Sequence, residues 1–173
     1  MNKETAERPW GGIALIAAPL LVVLGSASGW LSNSGYGNPW FDALVKPVFM
    51  PPGWVFGVAW TILYALMGVA LSKILALPKS PRRRNALILF FVQLALNMAW
   101  SPIFFAGHDI RLAHMVLFAM AAIAAGAAGQ FFRLDRLAGL LLTPYLTWLV
   151  FAVTLNAAIL NLNPGAGTNL LGF

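Results

Sequence analysis

Cysteine is absent from the 173-residue sequence, and charged side chains make up only 9% of it. The missing thiols exclude disulfides, thiol nucleophiles and cysteine metal sites. An ordinary soluble domain has about 25% charged residues. Here 60% of the residues are hydrophobic, which leaves too little polar surface for folding in water. These shortages indicate an integral membrane protein.

Five apolar segments have the length that a bilayer requires. A hydrocarbon core about 30 Å thick needs about 20 helical residues, because each residue adds about 1.5 Å. The segments occupy most of the chain, so we predict one all-α membrane domain, a bundle of five transmembrane helices. The predicted helices are residues 10–31, 54–77, 85–105, 112–132 and 137–160 of the domain 1–173.

The basic residues fall mainly on one side of this predicted bundle. Five alternating spans place nine of the 11 lysines and arginines with the N-terminus and the second and fourth connections, and leave Lys46 and Arg111 opposite. Because basic residues accumulate in cytoplasmic loops, we predict a cytoplasmic N-terminus and an external C-terminus. The net charge of +6 therefore reports topology, and we predict no nucleic-acid partner.

Groups for acid–base or metal chemistry are scarce in the spans. No Asp, Glu, Lys, Arg or His lies midway through one, which disfavours an ion-coupled transporter. His108 and His114 flank Asp109 at the third connection, with a spacing that can hold a metal. We interpret both histidines as interfacial bystanders and predict no metal site.

Three spans carry stripes of aromatic and amide side chains instead. Residues three or four apart share one face of a helix. Measured from the outer ends of the spans, the stripes cluster in the outer half of the membrane, roughly 7 to 18 Å deep. They are compatible with ordinary packing or with the wall of an apolar pocket that has a few polar groups. The stripes are Trp60, Tyr64 and Met67, then Gln93, Asn97 and Trp100, then Tyr145, Trp148, Ala152 and Asn156.

The first outer connection, residues 32–53, is too long for a simple turn. Asn38 followed by proline is typical of a helix N-cap and first position, and Asp42 lies four residues before Lys46. We predict a short helix over "PWFDALVK". Pro51 and the next proline then fix the entry into the second span. The connection is expected to form a rigid lid loop over the pocket.

Small residues allow helices to approach closely in lipid. The first span carries such a ridge at Gly25 and Gly29, and the fourth has similar ridges ending at Gly126 and Gly129. These ridges are compatible with packing inside the chain or with the seam of a homodimer.

Three segments have a characteristic combination of residues: "WFDALVKPVFMPPGWVFGVAWTILYALMG", "QLALNMAWSPIFF" and "LLTPYLTWLVFAVTLN". In order and spacing they resemble the translocator protein family, also called tryptophan-rich sensory proteins or peripheral benzodiazepine receptors. The first and fourth spans match that family mainly in hydropathy. The resemblance implies a five-helix bundle, often a homodimer, that binds porphyrins such as protoporphyrin IX and haem, synthetic benzodiazepine and isoquinoline ligands, and cholesterol in animal members.

The resemblance also implies which residues contact the ligand. Trp60 and Trp148 correspond to the pocket tryptophans implicated in light-dependent porphyrin breakdown by some bacterial members. Porphyrin or haem would be a ligand and no cofactor is required. Apart from the resemblance, Lys46 and Arg111 are the only cations on the predicted outer face, and they are compatible with a position near the porphyrin carboxylates or with side chains that extend to the lipid headgroups. The other implied ligand-binding positions are Tyr64, Asn97, Phe104, Phe151, Ala152 and Leu155, with Pro51 in the lid loop.

The sequence departs from animal members at several places. Ala157 and Asn161 stand where a cholesterol motif has tyrosine and arginine, so sterol binding by that motif is not expected. Leu112 occupies the position of a pocket tryptophan in animal members, and Met50 occupies the position of a loop histidine. The chain therefore resembles a bacterial member, and we predict a bacterial cell membrane as its location.

These expectations describe a membrane receptor or sensor that binds porphyrins and related apolar ligands in an outer-half pocket and regulates tetrapyrrole metabolism or a stress response. Light-dependent porphyrin degradation is an alternative, with Trp60 and Trp148 as candidate catalytic residues. It needs no acid or base, because excited porphyrin and oxygen supply the reactive species. Passive transport of porphyrin or lipid is a further alternative. The expected partners are the apolar ligand, the lipid bilayer and a second copy of the chain.

Overall fold

The computed structural model describes residues 9–167, and this part of the chain folds into helices without any strand. A π-helical turn, Pro102–Ala106, continues α4, and α6 and α7 form one span interrupted at Leu142. Five spans are therefore long and apolar enough to cross a membrane, which confirms the predicted all-α membrane fold. The helices are α1 Trp10–Leu31, α2 Pro39–Ala43, α3 Gly53–Ala76, α4 Pro81–Ser101, α5 Ile110–Leu134, α6 Arg136–Leu141 and α7 Thr143–Leu162.

The third span begins four residues before its predicted start. The Ser80 hydroxyl caps α4 by accepting a hydrogen bond from the Arg83 backbone N–H at 3.2 Å, and a proline occupies the first helical position. The Arg83 guanidinium donates to the carbonyl oxygens of Ile74 and Leu75, at 3.0 and 2.9 Å. These bonds satisfy carbonyls in the last turn of α3, where intrahelical donors run out; the Ile74 carbonyl also accepts from the Leu77 backbone N–H at 3.3 Å.

The core lies between α3, α4, α5 and α7, and α1 covers one side of it. Gly68 lets α1 approach α3 closely, because a Cβ at Gly68 would lie 2.4 Å from the Cα of Ala18. The outer face of α1 is apolar and exposed, with Leu15 at 80% and Trp30 at 81%, as expected for a surface in contact with lipid. The largest buried core side chains include Met67, Ile74, Phe90, Phe131, Tyr145 and Leu149.

The lid loop connects α1 to α3 and contains α2. Asn38 caps α2 as predicted, because its side-chain oxygen accepts hydrogen bonds from the backbone N–H groups two and three residues later, at 3.0 and 3.1 Å. The predicted extension of this helix to Lys46 is wrong. The helix ends at Ala43, since Leu44 adopts an extended backbone with φ −68° and ψ 145°.

A short segment after α7, residues 163–166, holds the lid loop in place, and we call it the latch. The Asn163 side chain accepts a hydrogen bond from the Val45 N–H at 2.8 Å and donates to the Val45 carbonyl at 2.9 Å. The indole N–H of Trp40 donates to the Ala166 carbonyl at 3.0 Å. The chain therefore fastens its first loop with residues more than 100 positions away.

At the opposite end of the bundle, an ion pair joins α3 to the junction of α5 and α6. The Lys73 ammonium lies 3.0 Å from the Asp135 carboxylate, which also caps α6 by accepting from the Ala138 N–H at 2.8 Å. Burial raises the pKa of Asp135, but the Ala138 N–H and the Lys73 ammonium outweigh it and hold the pKa below its usual range. The ammonium also lies 5.0 Å from the ring centroid of Trp10, which brings α1 into the same contact.

Candidate ligand-binding site

A cavity of about 410 Å³ lies between α1, α3, α4 and α7, under the lid loop. Phe41 and Met50 of the lid loop line one part of its wall, and the π-helical turn contributes Phe104 and Phe105. The volume falls within the range of small-molecule sites, about 300–1,000 Å³. The cavity is therefore the candidate site.

Eight of the nine implied ligand-binding residues line this cavity. Trp60 and Tyr64 come from α3, Asn97 from α4, and the others from the π-helical turn and α7. The ninth, Pro51, lies outside the lining, and its carbonyl accepts a hydrogen bond from the Tyr36 hydroxyl at 3.3 Å. The eight lining residues are Trp60, Tyr64, Asn97, Phe104, Trp148, Phe151, Ala152 and Leu155.

Aromatic rings from α3 and α7 form one wall. Trp60 stacks on Tyr64, four residues later, with ring centroids 5.2 Å apart and planes inclined at 27°. Trp60 meets Trp148 edge-on at 6.3 Å, and Trp148 contacts Phe151 at 5.4 Å. The spacing of three and four residues places each stripe on one face of its helix, and the contact between Trp60 and Trp148 shows that the stripes of the second and fifth spans face one another.

A chain of buried hydrogen bonds lies behind this wall. The Tyr64 hydroxyl donates to Asn97 Oδ1, and Asn97 Nδ2 donates to the Tyr145 hydroxyl at 3.2 Å. Tyr145 in turn donates to Gln93 Oε1 at 2.7 Å. All four residues are buried, so this series of hydrogen bonds joins α3, α4 and α7 in a low-dielectric environment. Fully paired polar groups in such an environment stabilise a unique arrangement.

The contribution of α1 to the site was not predicted. Gly25 lines the cavity, and the Tyr64 ring packs directly against it. A Cβ at Gly25 would lie 2.0 Å from the Tyr64 Cε2, so only glycine leaves room for this ring. Ser28 also lines the cavity, and its hydroxyl donates to the Met98 carbonyl at 2.8 Å. The small-residue run "GSASG" was the sequence signal. The expectation for the Gly25 ridge is packing inside the chain or the seam of a homodimer, and it includes no place in the pocket.

The lining of the cavity, as far as residues 9–167 show it, carries no charged side chain. Lys46, expected near a ligand carboxylate, lies outside the lining, and its ammonium donates to the Phe41, Asp42 and Leu44 carbonyls at 2.8–3.2 Å. It caps α2 rather than pairing with the Asp42 carboxylate, which accepts from the Gly37 N–H. Arg111, the other expected cation, is exposed on α5 and also outside the lining.

The histidines do not assemble a metal site. His108 stacks on Trp40 with ring centroids 4.4 Å apart, and His114 meets Phe118 edge-on at 5.0 Å. Within the described part of the chain, no group of three or more His, Cys, Asp or Glu side chains has the arrangement to hold a metal ion.

Among residues 9–167, five membrane-length helices surround an aromatic-walled cavity whose described lining is uncharged. This arrangement defines a helical membrane protein with an internal site of ligand size. The sequence pattern of the TspO/MBR family matches residues 16–162. The chain therefore belongs to the TspO/MBR family of membrane sensors and receptors, which confirms the resemblance that its motifs indicated.

Individual relatives agree with this assignment. The chain is 40% identical to the tryptophan-rich sensory protein of Cereibacter sphaeroides over 126 residues, which cover 73% of this chain and 78% of that protein. It is 34% identical to the translocator protein of Homo sapiens over 160 residues, 91% of this chain and 93% of the relative. Protein CrtK of Rhodobacter capsulatus is 35% identical over 127 residues, 73% of this chain and 79% of CrtK.

Proposed function

We propose that this protein is a receptor or sensor that binds porphyrins, such as protoporphyrin IX and haem, in the cavity and thereby regulates tetrapyrrole metabolism or a stress response. The observation that supports this is the meeting of the Trp60 and Trp148 indoles in the wall of one apolar cavity. A flat conjugated macrocycle gains from burial against aromatic rings, and each favourable ring pair adds about 0.5–1.5 kcal/mol beyond the buried area.

The proposal includes the arrangement in the membrane. The distribution of nine basic residues against two supports a cytoplasmic N-terminus and an external C-terminus in a bacterial cell membrane. We also propose a homodimer. Gly25 packs within the chain against Tyr64, whereas a Cβ at Gly129 on α5 would meet no heavy atom within 4 Å. The small-residue ridge of α5 is therefore the better candidate for a seam between two copies.

A titration of the purified protein with protoporphyrin IX, haem and cholesterol tests the proposed ligand class. We expect both porphyrins to quench tryptophan fluorescence and shift their own absorbance on binding, and cholesterol to have a much weaker effect. Ala152→Phe should block binding, because Ala152 lines the cavity and a phenyl ring there fills part of it. Val150→Phe is the matched control, since Val150 is 66% exposed on the same helix. Equal porphyrin affinity in the two variants would contradict the proposal.

A second candidate function is light-dependent porphyrin oxidation, favoured by the two indoles that line the cavity beside the proposed ligand position. The porphyrin absorbs the light and dioxygen is the oxidant, so no acid or base is needed. Illumination in air should then bleach bound porphyrin faster with the wild-type protein than with Trp148→Phe, and removal of dioxygen should stop the reaction. Equal bleaching rates with protein and with detergent alone would exclude this function.

A further inference from the structure

A second recess lies at the end of the bundle opposite the lid loop, and we call it the α4 groove. It is open, has a volume of about 730 Å³ and begins in the connection between α3 and α4. Its described lining shares no residue with the cavity under the lid loop. The lining residues are Lys79, Ser80, Pro81, Arg83, Arg84, Leu87, Ile88, Phe91 and Val92.

The groove has a basic part and an apolar part along one face of α4. Arg84 is followed by Ile88 and Phe91 at intervals of four and three residues, and residues with this spacing share a helix face. From Arg84 to Val92 the helix rises about 12 Å, at about 1.5 Å per residue. The basic part therefore lies at the end of a membrane-length helix, and the apolar part extends along it.

The apolar part is exposed in the described part of the chain. Ile88 and Phe91 are 52% and 49% exposed, whereas Phe90 and Gln93 of the same helix are buried in the core. Exposed apolar patches of this kind mark surfaces that contact a membrane or a partner.

The basic part holds cations that no carboxylate neutralises. Among residues 9–167, neither Lys79 nor Arg84 is paired with a carboxylate, and Asp135, the acidic residue described at this end of the bundle, is paired with Lys73. The described lining of the groove contains no acidic side chain. The positive charge of the groove is therefore available to an anion.

Arg83 adds a cation whose position is fixed. Its guanidinium donates to two carbonyl oxygens in the last turn of α3, at 3.0 and 2.9 Å. These bonds use two of the five N–H donors of the group and leave its charge uncompensated. The Ser80 hydroxyl accepts from the Arg83 backbone N–H and can donate its own proton. The basic part thus combines positive charge with hydrogen-bond donors, as a phosphate oxygen requires.

These two parts are complementary to one molecule that has an anionic head and an apolar chain. A phosphate diester supplies a negative charge and acceptor oxygens for the basic part, and an acyl chain covers the apolar part. A soluble anion or an acidic peptide would leave the apolar part uncovered. A zwitterionic phospholipid also carries a cationic head group, which the uncompensated cations repel.

We propose that the α4 groove is a binding site for an anionic glycerophospholipid, such as phosphatidylglycerol. The phosphate accepts hydrogen bonds from Lys79, Ser80 and Arg84, and one acyl chain lies against Ile88 and Phe91. The groove is separate from the cavity under the lid loop, so this inference does not rest on the proposed function.

The test is a titration of the purified, detergent-solubilised protein with phosphatidylglycerol and with phosphatidylcholine of the same acyl chains, followed by native mass spectrometry. We expect the first phosphatidylglycerol to bind about tenfold more tightly than phosphatidylcholine, because juxtamembrane cations attract anionic lipids. Equal affinities for the two lipids would overturn the proposal.

Charge variants distinguish a defined site from a general attraction to a basic surface. Lys79→Gln and Arg84→Gln should each weaken phosphatidylglycerol binding about fivefold, with phosphatidylcholine binding unchanged. Arg82→Gln is the matched control, because Arg82 is exposed in the same helical turn and lies outside the described lining. Its effect should be less than about twofold. Equal losses in all three variants would show that affinity follows total charge, and would overturn the proposal.

Two further arms test the apolar part. Phe91→Ala should weaken phosphatidylglycerol binding at least about threefold, since the acyl chain loses a ring to pack against. Phe118→Ala, on the exposed face of α5 and outside the described lining, should not. Glycerol 3-phosphate, which has no acyl chain, should fail to displace the lipid. Displacement by it at concentrations comparable to those of the lipid would reduce the groove to a phosphate site and overturn the proposal.

The same spectra report the oligomeric state. If Phe91→Ala dissociated a dimer without weakening lipid binding, the groove would be a contact between two copies of the chain, and the proposal would be overturned.

Protoporphyrin IX affinity in the same preparations separates this inference from the proposed function. Arg84→Gln should bind the porphyrin as the wild type does, because Arg84 lies outside the cavity lining. If the wild type selects phosphatidylglycerol but binds no porphyrin, the proposed function fails and this inference stands. If it binds porphyrin without selecting between the lipids, this inference alone is overturned.

Discussion

The indole of Trp60 meets the indole of Trp148 edge-on, with ring centroids 6.3 Å apart and planes inclined at 79°. Tyr64 covers Trp60 by stacking at 5.2 Å, and Phe56 meets Trp148 edge-on at 5.8 Å. The two indoles come from α3 and α7, so their contact depends on how these helices pack. The geometry of the aromatic wall is therefore coupled to the stability of the bundle.

The buried bond between Tyr64 and Asn97 gives a first prediction. Tyr64→Phe removes the donor to Asn97 Oδ1, and we expect a loss of about 1–2 kcal/mol in the free energy of unfolding in detergent micelles. Tyr36→Phe is the matched control, because its hydroxyl bond to the Pro51 carbonyl is exposed, and its effect should stay within about 0.5 kcal/mol. Equal losses of unfolding free energy in the two variants would contradict a stabilising role for the buried hydrogen bonds behind the aromatic wall.

The close contact of α1 and α3 gives a second prediction. Gly68→Ala places a Cβ 2.4 Å from the backbone of Ala18, and overpacking of this kind costs about 1–3 kcal/mol. Gly12→Ala on α1 meets no heavy atom within 4 Å, so it should be neutral or gain up to about 1 kcal/mol from helix propensity. Thermal unfolding of both variants measures the difference. A Gly68→Ala protein as stable as the wild type would show that the two helices are farther apart.

The latch gives a prediction about ligand release. Asn163→Ala removes both hydrogen bonds to Val45 and a third to the Ile159 carbonyl. If the lid loop controls access to the cavity, porphyrin should leave about tenfold faster, which corresponds to about 1.4 kcal/mol less stabilisation of the closed state. Stopped-flow displacement measures the rate, and Asn161→Ala on exposed α7 surface is the control. Identical release rates would mean that the latch does not restrain the lid loop.

The Lys73–Asp135 ion pair gives a prediction about pH. Asp135→Asn keeps an N-cap residue for α6 and removes the charge that Lys73 pairs with. The pKa of Asp135 is lowered in the folded protein. The ionised Asp135 carboxylate therefore stabilises the folded protein at pH values above the unfolded-state pKa, about 3.9, and this stabilisation is lost as the pH falls through the folded-state pKa.

Unfolding temperatures of wild-type and Asp135→Asn protein check this expectation. The wild type should be the more stable near about pH 6, and the difference should shrink as the pH falls below about 4. The difference should be less than about 1 kcal/mol, because the pair is partly exposed. A difference that does not change with pH would rule out the proposed contribution of the carboxylate charge.

The spans and the aromatic wall could be predicted because each depends on local periodicity. Hydropathy over about 20 residues identifies a membrane helix, and a spacing of three or four residues places Trp60 and Tyr64 on one face. That these faces meet across α3 and α7 was implied by the resemblance to the TspO/MBR family, and the structure shows the contact directly between Trp60 and Trp148.

The missed features depend on contacts between distant residues. Gly25 has no side chain to signal a role, and its place in the wall follows from the Tyr64 ring beside it. The latch pairs Asn163 with Val45 across 118 positions, and this pairing ends α2 before Lys46. The local helix signals in "PWFDALVK" predicted a longer helix. They contain no information about Asn163, whose side chain bonds to the backbone N–H and carbonyl of Val45.

The assignment of the cavity as the porphyrin site is tested most directly by the affinity for protoporphyrin IX of the Trp60→Ala, Trp148→Ala and Trp54→Ala proteins, measured by porphyrin absorbance. Trp54 lies in the first turn of the same helix as Trp60, is 70% exposed and lies outside the cavity lining. We predict that the first two variants each bind at least about tenfold more weakly than the wild type, and that Trp54→Ala binds about as tightly as the wild type. Equal affinities in all three variants would contradict the assignment of the cavity as the porphyrin site.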